Sequence, residues 1–442
     1  METKRVIGIV HRVKQTAEQE SHPTMLCVMA EKKVCHSLET ETDELDFLLG
    51  RFPIKFRKVV PTDNLSKFKP HQIKWKKVTD EADFDAVADI QGNERIVNPQ
   101  FIKKDGKLTY VADKVPIAFD GLHAGDTVVM CLGGSGDRFA YALARHGQDI
   151  GAEVYRLAPK HLKANRVNDD KSHDHELLVR IYLENSELFQ EATPAELSLI
   201  RIRELFDQRM DSMKARIECE QRLCQRLVGK IFLNTEGKYP EGAVEDMFDA
   251  EKANDKILQS LIAEEESRNR ELSKEVSAHP LFVAVFDDIE GFGIRIAAPL
   301  IAFIGNILRF ESVASFKQYC GVAPDATGHF QRKRRDSAMR YRPEIRQALF
   351  LFADQMNRRP NSTWGRVFME EKTRLRAKYP DEVIENRPDP KNLEKIKSVK
   401  MYTNGHIHNK ARWHALGRFC EWLYGEWTKA IELLAEVEKK VA

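Results

Sequence analysis

From about Glu176 the spacing of apolar residues changes, and that change divides the chain. Before it, apolar residues come in short runs bounded by polar turns: Arg5 to Val10 (RVIGIV), Thr24 to Met29 (TMLCVM), Thr127 to Leu132 (TVVMCL) and Glu153 to Leu157 (EVYRL). Each reads as a buried strand. The third runs into Gly133-Gly134-Ser135-Gly136 and the helical pattern Phe139, Ala142, Leu143, which predicts an α/β unit with a parallel strand pair. After the change, Leu199, Ile202, Phe206, Met210, Met213, Ile217, Cys224, Leu227 and Ile231 fall mostly at three- and four-residue steps, with Glu220 interrupting. That is the stripe of a helix that pairs with another helix.

Three parts follow from this reading: an α/β domain over residues 1–175, a long helical coiled-coil arm over 176–278, and a compact helical domain over 279–442. Within the first, residues 55–116 form a basic, strand-like insertion, with Lys104-Asp105-Gly106-Lys107 as a hairpin turn. Thr193-Pro194-Ala195-Glu196 opens the arm with an N-cap, a proline at the first helical position and a glutamate three residues after the cap. A second arm helix spans about Val244 to Val276, and an antiparallel hairpin and a subunit-pairing arm fit its periodicity equally. The closing helix, Asn409 to Ala442, carries Trp413, Leu416, Cys420, Leu423 and Trp427 on one core-facing stripe, whereas Tyr379 to Lys400 reads as a loop or linker.

The chain has 442 residues, enough for two or three domains, with 31% charged and 42% hydrophobic side chains. Its net charge of +2 conceals local segregation, so any nucleic-acid contact must be a patch. The longest apolar stretch, Ile296 to Ile307, is too short and too closely flanked by charge to cross a bilayer, and no export signal opens the chain. Seven cysteines, an odd number without a paired framework, point to the cytoplasm, and the absence of any CxxC leaves a structural zinc site little support.

Ile289-Glu290-Gly291-Phe292-Gly293-Ile294-Arg295-Ile296-Ala297 is the most specific local signal. A hydrophobic residue, Gly-x-Gly and an apolar helix make a helix-hairpin-helix pattern, in which backbone N–H groups at Gly291 and Gly293 can hold a phosphate. A tight crossing of two helices is the plainer use of the same glycines. Arg332, Lys333, Arg334, Arg335, Arg340, Arg342 and Arg346 follow, with Phe330 and Tyr341 interleaved; this run suits a phosphate-neutralising surface, or else a solvated helix face. The Gly133 to Asp137 turn lacks the residues of a P-loop and the spacing of a dinucleotide fingerprint. Asp169, Asp170 and Asp174 lie where the α/β unit hands over to helices. On a helix, Asp170 and Asp174 would share a face and could hold Mg²⁺, with a solvated acidic helix start as the alternative.

The C-terminal half resembles the IS-one-ten insertion-sequence transposases, which include the Piv/MooV pilin-gene invertases. Ile289 to Phe310 (IEGFGIRIAAPLIAFIGNILRF), Ser312 to Pro324 (SVASFKQYCGVAP) and Asn409 to Leu423 carry the likeness, and Val128 to Pro159 resembles that family's strand, glycine turn, helix and strand. The resemblance implies a RuvC-like (RNase H-like) N-terminal fold whose carboxylates bind divalent metal, a coiled-coil link and a C-terminal transposase domain with a serine nucleophile, acting on DNA with a structured guide RNA. Residue by residue, the first metal-binding aspartate falls at Val10, the glutamate at Met130, the last aspartate at Asp174, and its partner at Asp170 or Asp169 only after a shift. The nucleophile falls at Thr327. The expectation is therefore a DNA transposase or site-specific recombinase of a mobile element with a divergent active site. In it Thr327 attacks a phosphate, Asp170 and Asp174 hold Mg²⁺, and a homodimer or tetramer assembles. The alternatives are a catalytically silent DNA- or RNA-binding descendant, and a nucleotide-binding enzyme using the Gly133 to Asp137 turn.

Overall fold

A computed structural model of the chain describes residues 5–13, 21–60, 63–77, 110–167, 170–192, 194–324, 330, 341–389 and 392–441. It divides into two compact units, one of residues 1–157 and 161–191, the other of 158–160 and 192–442. No helix among the described residues is long and apolar enough to cross a membrane.

The first unit is built on a six-stranded mixed sheet: β1 (Val6–Val10), β2 (Thr24–Met29), β3 (Lys33–Leu38), β7 (Thr127–Cys131), β8 (Glu153–Leu157) and β9 (Phe189–Glu191), in the order β3-β2-β1-β7-β8-β9. β1 pairs antiparallel with β2 and parallel with β7, and β7 pairs parallel with β8. All four sequence-predicted strands are present. Helix α1 (Glu41–Leu48) follows β3 and is closed by a capping box at Thr40. Helix α2 (Asp137–Ile150) leaves the glycine turn, where Gly133 and Gly134 have φ of 83° and 88°. A short helix, α3 (Pro159–Ala164), follows β8, and α4 (Asp174–Glu184) runs over the sheet. Strand alternation puts Gly8, Cys27 and Val129 on one face, since they are ladder partners, and Cys27 and Val129 pack there with Leu178, Val179 and Ile181 of α4. A Cβ on Gly8 would sit 2.1 Å from the His175 carbonyl oxygen, so the missing side chain lets α4 lie flush on β1.

The described part of the basic insertion is a separate three-stranded sheet, β4 (Phe52–Lys58), β5 (Lys74–Lys77) and β6 (Tyr110–Asp120), in the order β4-β6-β5. The expected turn at Lys104 to Lys107 lies outside the described residues.

The second unit opens with α5 (Pro194–Phe232), 39 residues long as its stripe predicts. The second arm helix is broken in two, α6 (Val244–Asn254) and α7 (Lys256–Ala278), because Asp255 leaves the helical region and caps α7 by accepting from Leu258 N–H. Leu258 at the start of α7 packs on Cys219 and Leu223, whereas Leu272 and Val276 near its end share a core with Leu199, Ile202 and Phe206. α5 and α7 are thus an antiparallel hairpin within the chain. Helices α8 (Pro280–Val285), α9 (Ile294–Ile304), α10 (Val313–Tyr319), α11 (Pro343–Arg358), α12 (Thr363–Lys378) and α13 (Asn404–Val441) complete the unit. The segment read as a loop, Tyr379 to Lys400, instead holds a hairpin of β10 (Val383–Asp389) and β11 (Asn392–Met401). Among its described side chains Val383, Ile384 and Ile396 are exposed and only the terminal Met401 is buried, so there is no regular apolar face to leave a periodic signal.

Candidate functional site

In a sheet with parallel strands, chemistry gathers at the C-terminal ends of those strands. Here the ends of β1, β7 and β8 and the start of α4 bring three carboxylates together with three arginines. Asp174, the first residue of α4, is buried, and both its oxygens are held by Arg166: Nε to Oδ1 at 2.8 Å and Nη2 to Oδ2 at 2.6 Å. Asp137 at the start of α2 accepts from Arg156 Nη2 at 2.6 Å, and the Arg156 side chain is fully buried. Glu44 of α1 is buried beyond the end of β1, where it meets Arg12 Nη2 at 2.9 Å, His11 Nε2 at 3.3 Å and the Thr24 hydroxyl at 2.6 Å. Burial pushes the Glu44 carboxyl up, but hydrogen bonds from His11, Thr24 and Arg12 hold it net below the usual carboxylate range. The Cys131 thiol at the end of β7 lies within the field of Arg156, Asp174 and Arg166, and burial pushes it up to about 11.

Helix α4 begins at Asp174, so Asp170 lies in the turn before the helix and the two do not share a helical face as expected. Asp170 is exposed and closes a local turn, accepting from Ser172 N–H at 2.9 Å and from the Ser172 hydroxyl at 2.8 Å. Asp169 lies outside the described residues. Val10 ends β1 on the α4 face, whereas Met130 pairs with Ile9 and faces the other way, its Cε 3.4 Å from where a Cβ on Gly136 would sit. Asp120 and Asp126 are each bonded to Arg5, at 3.0 and 3.2 Å, and burial raises the Asp126 carboxyl. A Mg²⁺ site needs several carboxylate or carbonyl oxygens converging on one point. Among the described residues Asp174, Asp137 and Glu44 are each held by an arginine and Asp170 by its own turn, and the set does not fit that ion.

In the second unit, the Gly-x-Gly turn joins α8 to α9. Gly291 has φ of 81°, which favours glycine, and a Cβ there would also sit tightly against Gln355 Cβ at 3.0 Å and Arg359 Nη1 at 3.2 Å. Phe292 between the glycines is buried, stacked on Phe286 at 5.0 Å and edge-on to Phe352 at 4.6 Å. Gly293 caps α9 from an exposed position. The turn borders a cavity of about 1230 Å³ that Arg209, Arg295 and Arg359 line together with Asp287, Asp288, Glu290 and Glu344. Burial pushes the Arg209 guanidinium down, and Glu265 pairs with it at 3.5 Å. Asp287, Asp288 and Glu290, next to the glycines in the chain, oppose an anion there, and the sequence pattern did not weigh them.

Arg342 does not join this turn. It caps the start of α11, with its guanidinium 4.2 Å from the Phe303 ring centre and Nε 3.1 Å from Glu344. The turn meets the other end of α11, at Gln355 and Arg359, roughly 24 Å away for 16 helical residues. Thr327, Arg332, Lys333, Arg334, Arg335 and Arg340 lie outside the described residues. The residues flanking 331–340 share one place on the domain: Phe330 stacks on Trp413 at 3.9 Å, and the Arg346 guanidinium lies 4.8 Å from Trp413 and 4.6 Å from Tyr341. A further cation–aromatic group was missed. Tyr379 and Tyr402 stack at 3.8 Å, His406 stacks on Tyr402 at 5.5 Å, and Lys378 and Lys410 lie over the tyrosine rings. Tyr402 is in the left-handed region at φ 58°, a strained position for a non-glycine residue. Only the β10–β11 hairpin brings these tyrosines together, and no local motif announces it.

A search of the curated proteins finds no match. Residues 283–369, from within α8 through the glycine turn and the basic run to α12, match the family described as Transposase IS116/IS110/IS902 family. Over that span the chain is similar to the transposases of that family.

Proposed function

We propose that this chain is a mobile-element transposase-family protein that grips DNA through its C-terminal domain and has lost divalent-metal cleavage at its α/β unit. The observation that carries this reading is the arginine held by each carboxylate at the sheet edge, above all the two-oxygen grip of Arg166 on Asp174. A guanidinium there supplies the positive charge that a metal would supply to a carboxylate, but it offers no open coordination position for a phosphate or a water. The strand order β3-β2-β1-β7-β8, with β1 antiparallel to β2 and parallel to β7, supports the RuvC-like reading of the first unit. The silent-descendant reading is thus favoured over active strand transfer.

DNA is the partner that the family match favours, and the structured guide RNA is the one that the resemblance adds. The basic run at 332–342 is the contact surface in this proposal. Its flanking residues are fixed by the Phe330, Trp413, Arg346 and Tyr341 stack, and each phosphate it neutralised would release counterions. The α/β unit then contributes shape. Thr327, in the same segment, stands at the nucleophile position that the resemblance implies.

The full chain incubated with supercoiled plasmid tests this, with Mg²⁺ or Mn²⁺ present, beside Asp174→Asn and Thr327→Ala. The expected result is salt-dependent binding, measured by fluorescence anisotropy on a labelled duplex, with no divalent-dependent nicking in any of the three. Nicking that the wild type performs and Asp174→Asn lacks would overturn the proposal, and nicking lost only in Thr327→Ala would restore strand chemistry to the C-terminal domain.

A further inference from the structure

The sheet face beneath α4 carries a second group of side chains, on the strands themselves. Gly8, Cys27 and Cys35 are consecutive ladder partners across β1, β2 and β3, so they form one row on one face. Because Gly8 has no side chain, the first turn of α4 settles on that row at His175. This places His175 and Glu176 above the two cysteines. The Cys35 sulfur, a His175 ring nitrogen and a Glu176 carboxylate oxygen lie within 4.8 Å of one another, and Cys35 Sγ is 3.8 Å from Glu176 Oε1. Lys33 holds the other oxygen, Oε2, at 2.8 Å, which turns Oε1 toward the thiol. His175 is 4% exposed, and no hydrogen-bond partner of its ring appears among the described residues. Beside the group opens a cavity of about 480 Å³, lined by Cys27, Lys33, His173 and Glu176 among others.

We propose that Cys35, His175 and Glu176, with Cys27 as the fourth ligand, form a zinc site that pins the β2–β3 hairpin to the start of α4. The donor set decides the metal. Two sulfurs, an imidazole and a single carboxylate suit a tetrahedral soft-to-borderline ion, and they suit Mg²⁺ or Ca²⁺ poorly. The bond lengths usual for zinc put neighbouring ligand atoms roughly 3.3–3.8 Å apart, so Cys35, His175 and Glu176 must close by about 1 Å, and toward Cys27, the ladder partner of Cys35 outside that cluster. Cys35 is exposed and Glu176 is part-exposed, so both side chains have room to make that move. On binding, each cysteine gives its thiol proton to solvent and the thiolate bonds the metal. Two thiolates and Glu176 carry three negative charges against the ion's two, and Lys33 beside Glu176 balances the remainder. Sequence spacing could not show this site. Its ligands are eight and 140 residues apart, and only the ladder and the Gly8 contact gather them.

The test is metal content of the purified full chain after dialysis, together with the visible spectrum of the Co²⁺-loaded protein. The proposal predicts one zinc per chain and a thiolate-to-cobalt charge-transfer band. Both should be lost in Cys35→Ala, whose exposed position lets the variant fold, and in Glu176→Gln and His175→Ala. Far-UV circular dichroism confirms that each variant is folded, and Cys35→Ala, with the mildest change, keeps the test decisive if His175→Ala is not. Zinc below stoichiometry in the wild type, or a cobalt band that survives Cys35→Ala, would overturn the site. So would a Cys27–Cys35 disulfide found by mass spectrometry in zinc-free protein, since it would make the pair a redox couple instead.

Discussion

At the scale of single residues, the α/β unit is governed by which cation each carboxylate meets. Asp174 and Arg166 are both nearly buried, with side-chain exposures of 6% and 14%, so removing one partner strands the other's charge. Asp174→Ala should therefore cost about 3 kcal/mol, measured by urea denaturation of the full chain, and Arg166→Met with Asp174→Leu together should recover most of that loss. Glu44 gives a pH signature. Its folded carboxyl lies below its ordinary value, so its contribution is fully present above about pH 4.3, the unfolded value, and is lost as pH falls through the folded one. A melting series from pH 7 to pH 3 should show a drop at the acid end that Glu44→Gln flattens. The residues of this edge were partly legible in the sequence. Asp174, Asp137 and the departures at Val10 and Met130 could be named, whereas Glu44 could not, and the arginines of Asp174, Asp137 and Glu44, 8, 19 and 32 residues away, could not be paired without the fold.

At the scale of elements, apolar periodicity was a sound guide wherever an element buries a regular face. The strands β1, β2, β7 and β8 and the 39-residue helix α5 stand where their patterns put them. It failed where burial is slight, as in the exposed β10–β11 hairpin, and where a local cap interrupts a continuous stripe, as at Asp255 between α6 and α7. Glycine decides two of the element contacts. Gly8→Ala should push α4 off β1, because the new Cβ would lie 2.1 Å from a backbone oxygen that cannot rotate away; a loss of about 3 kcal/mol in chemical denaturation is expected, with hydrogen exchange rising across α4. In the helical unit the role of the Gly-x-Gly turn is mechanical as well as spatial. Phe292 is clamped by Phe286, Phe352 and Phe419, so Phe292→Ala should cost about 4 kcal/mol by calorimetry and disorder the turn, whereas a substitution at the open Gly293 should cost far less.

At the scale of the whole molecule, two compact units share one chain: an α/β unit whose edge carboxylates are paired with arginines and a helical unit that holds the segment matching the transposase family. The two units divide near residue 191: α4 and β9 lie with the sheet, and the long helices α5 and α7 share a core with the rest of the helical unit through Leu199, Ile202, Phe206, Leu272 and Val276. Stripe periodicity reports that a helix has a partner, and it does not say that the partner is the neighbouring domain. If the basic run is the DNA surface, replacing Arg332 to Arg335 with alanine should weaken binding to all duplex sequences alike and reduce the slope of log affinity against log salt by roughly 3 to 4. In the proposed function Arg166 stands where a cation would otherwise bind. Mn²⁺ titration of the full chain, followed by electron paramagnetic resonance, measures that directly: the free-ion signal should rise in proportion to added Mn²⁺, with no loss assignable to Asp174. Stoichiometric sequestration of Mn²⁺ that Asp174→Asn abolishes would contradict it.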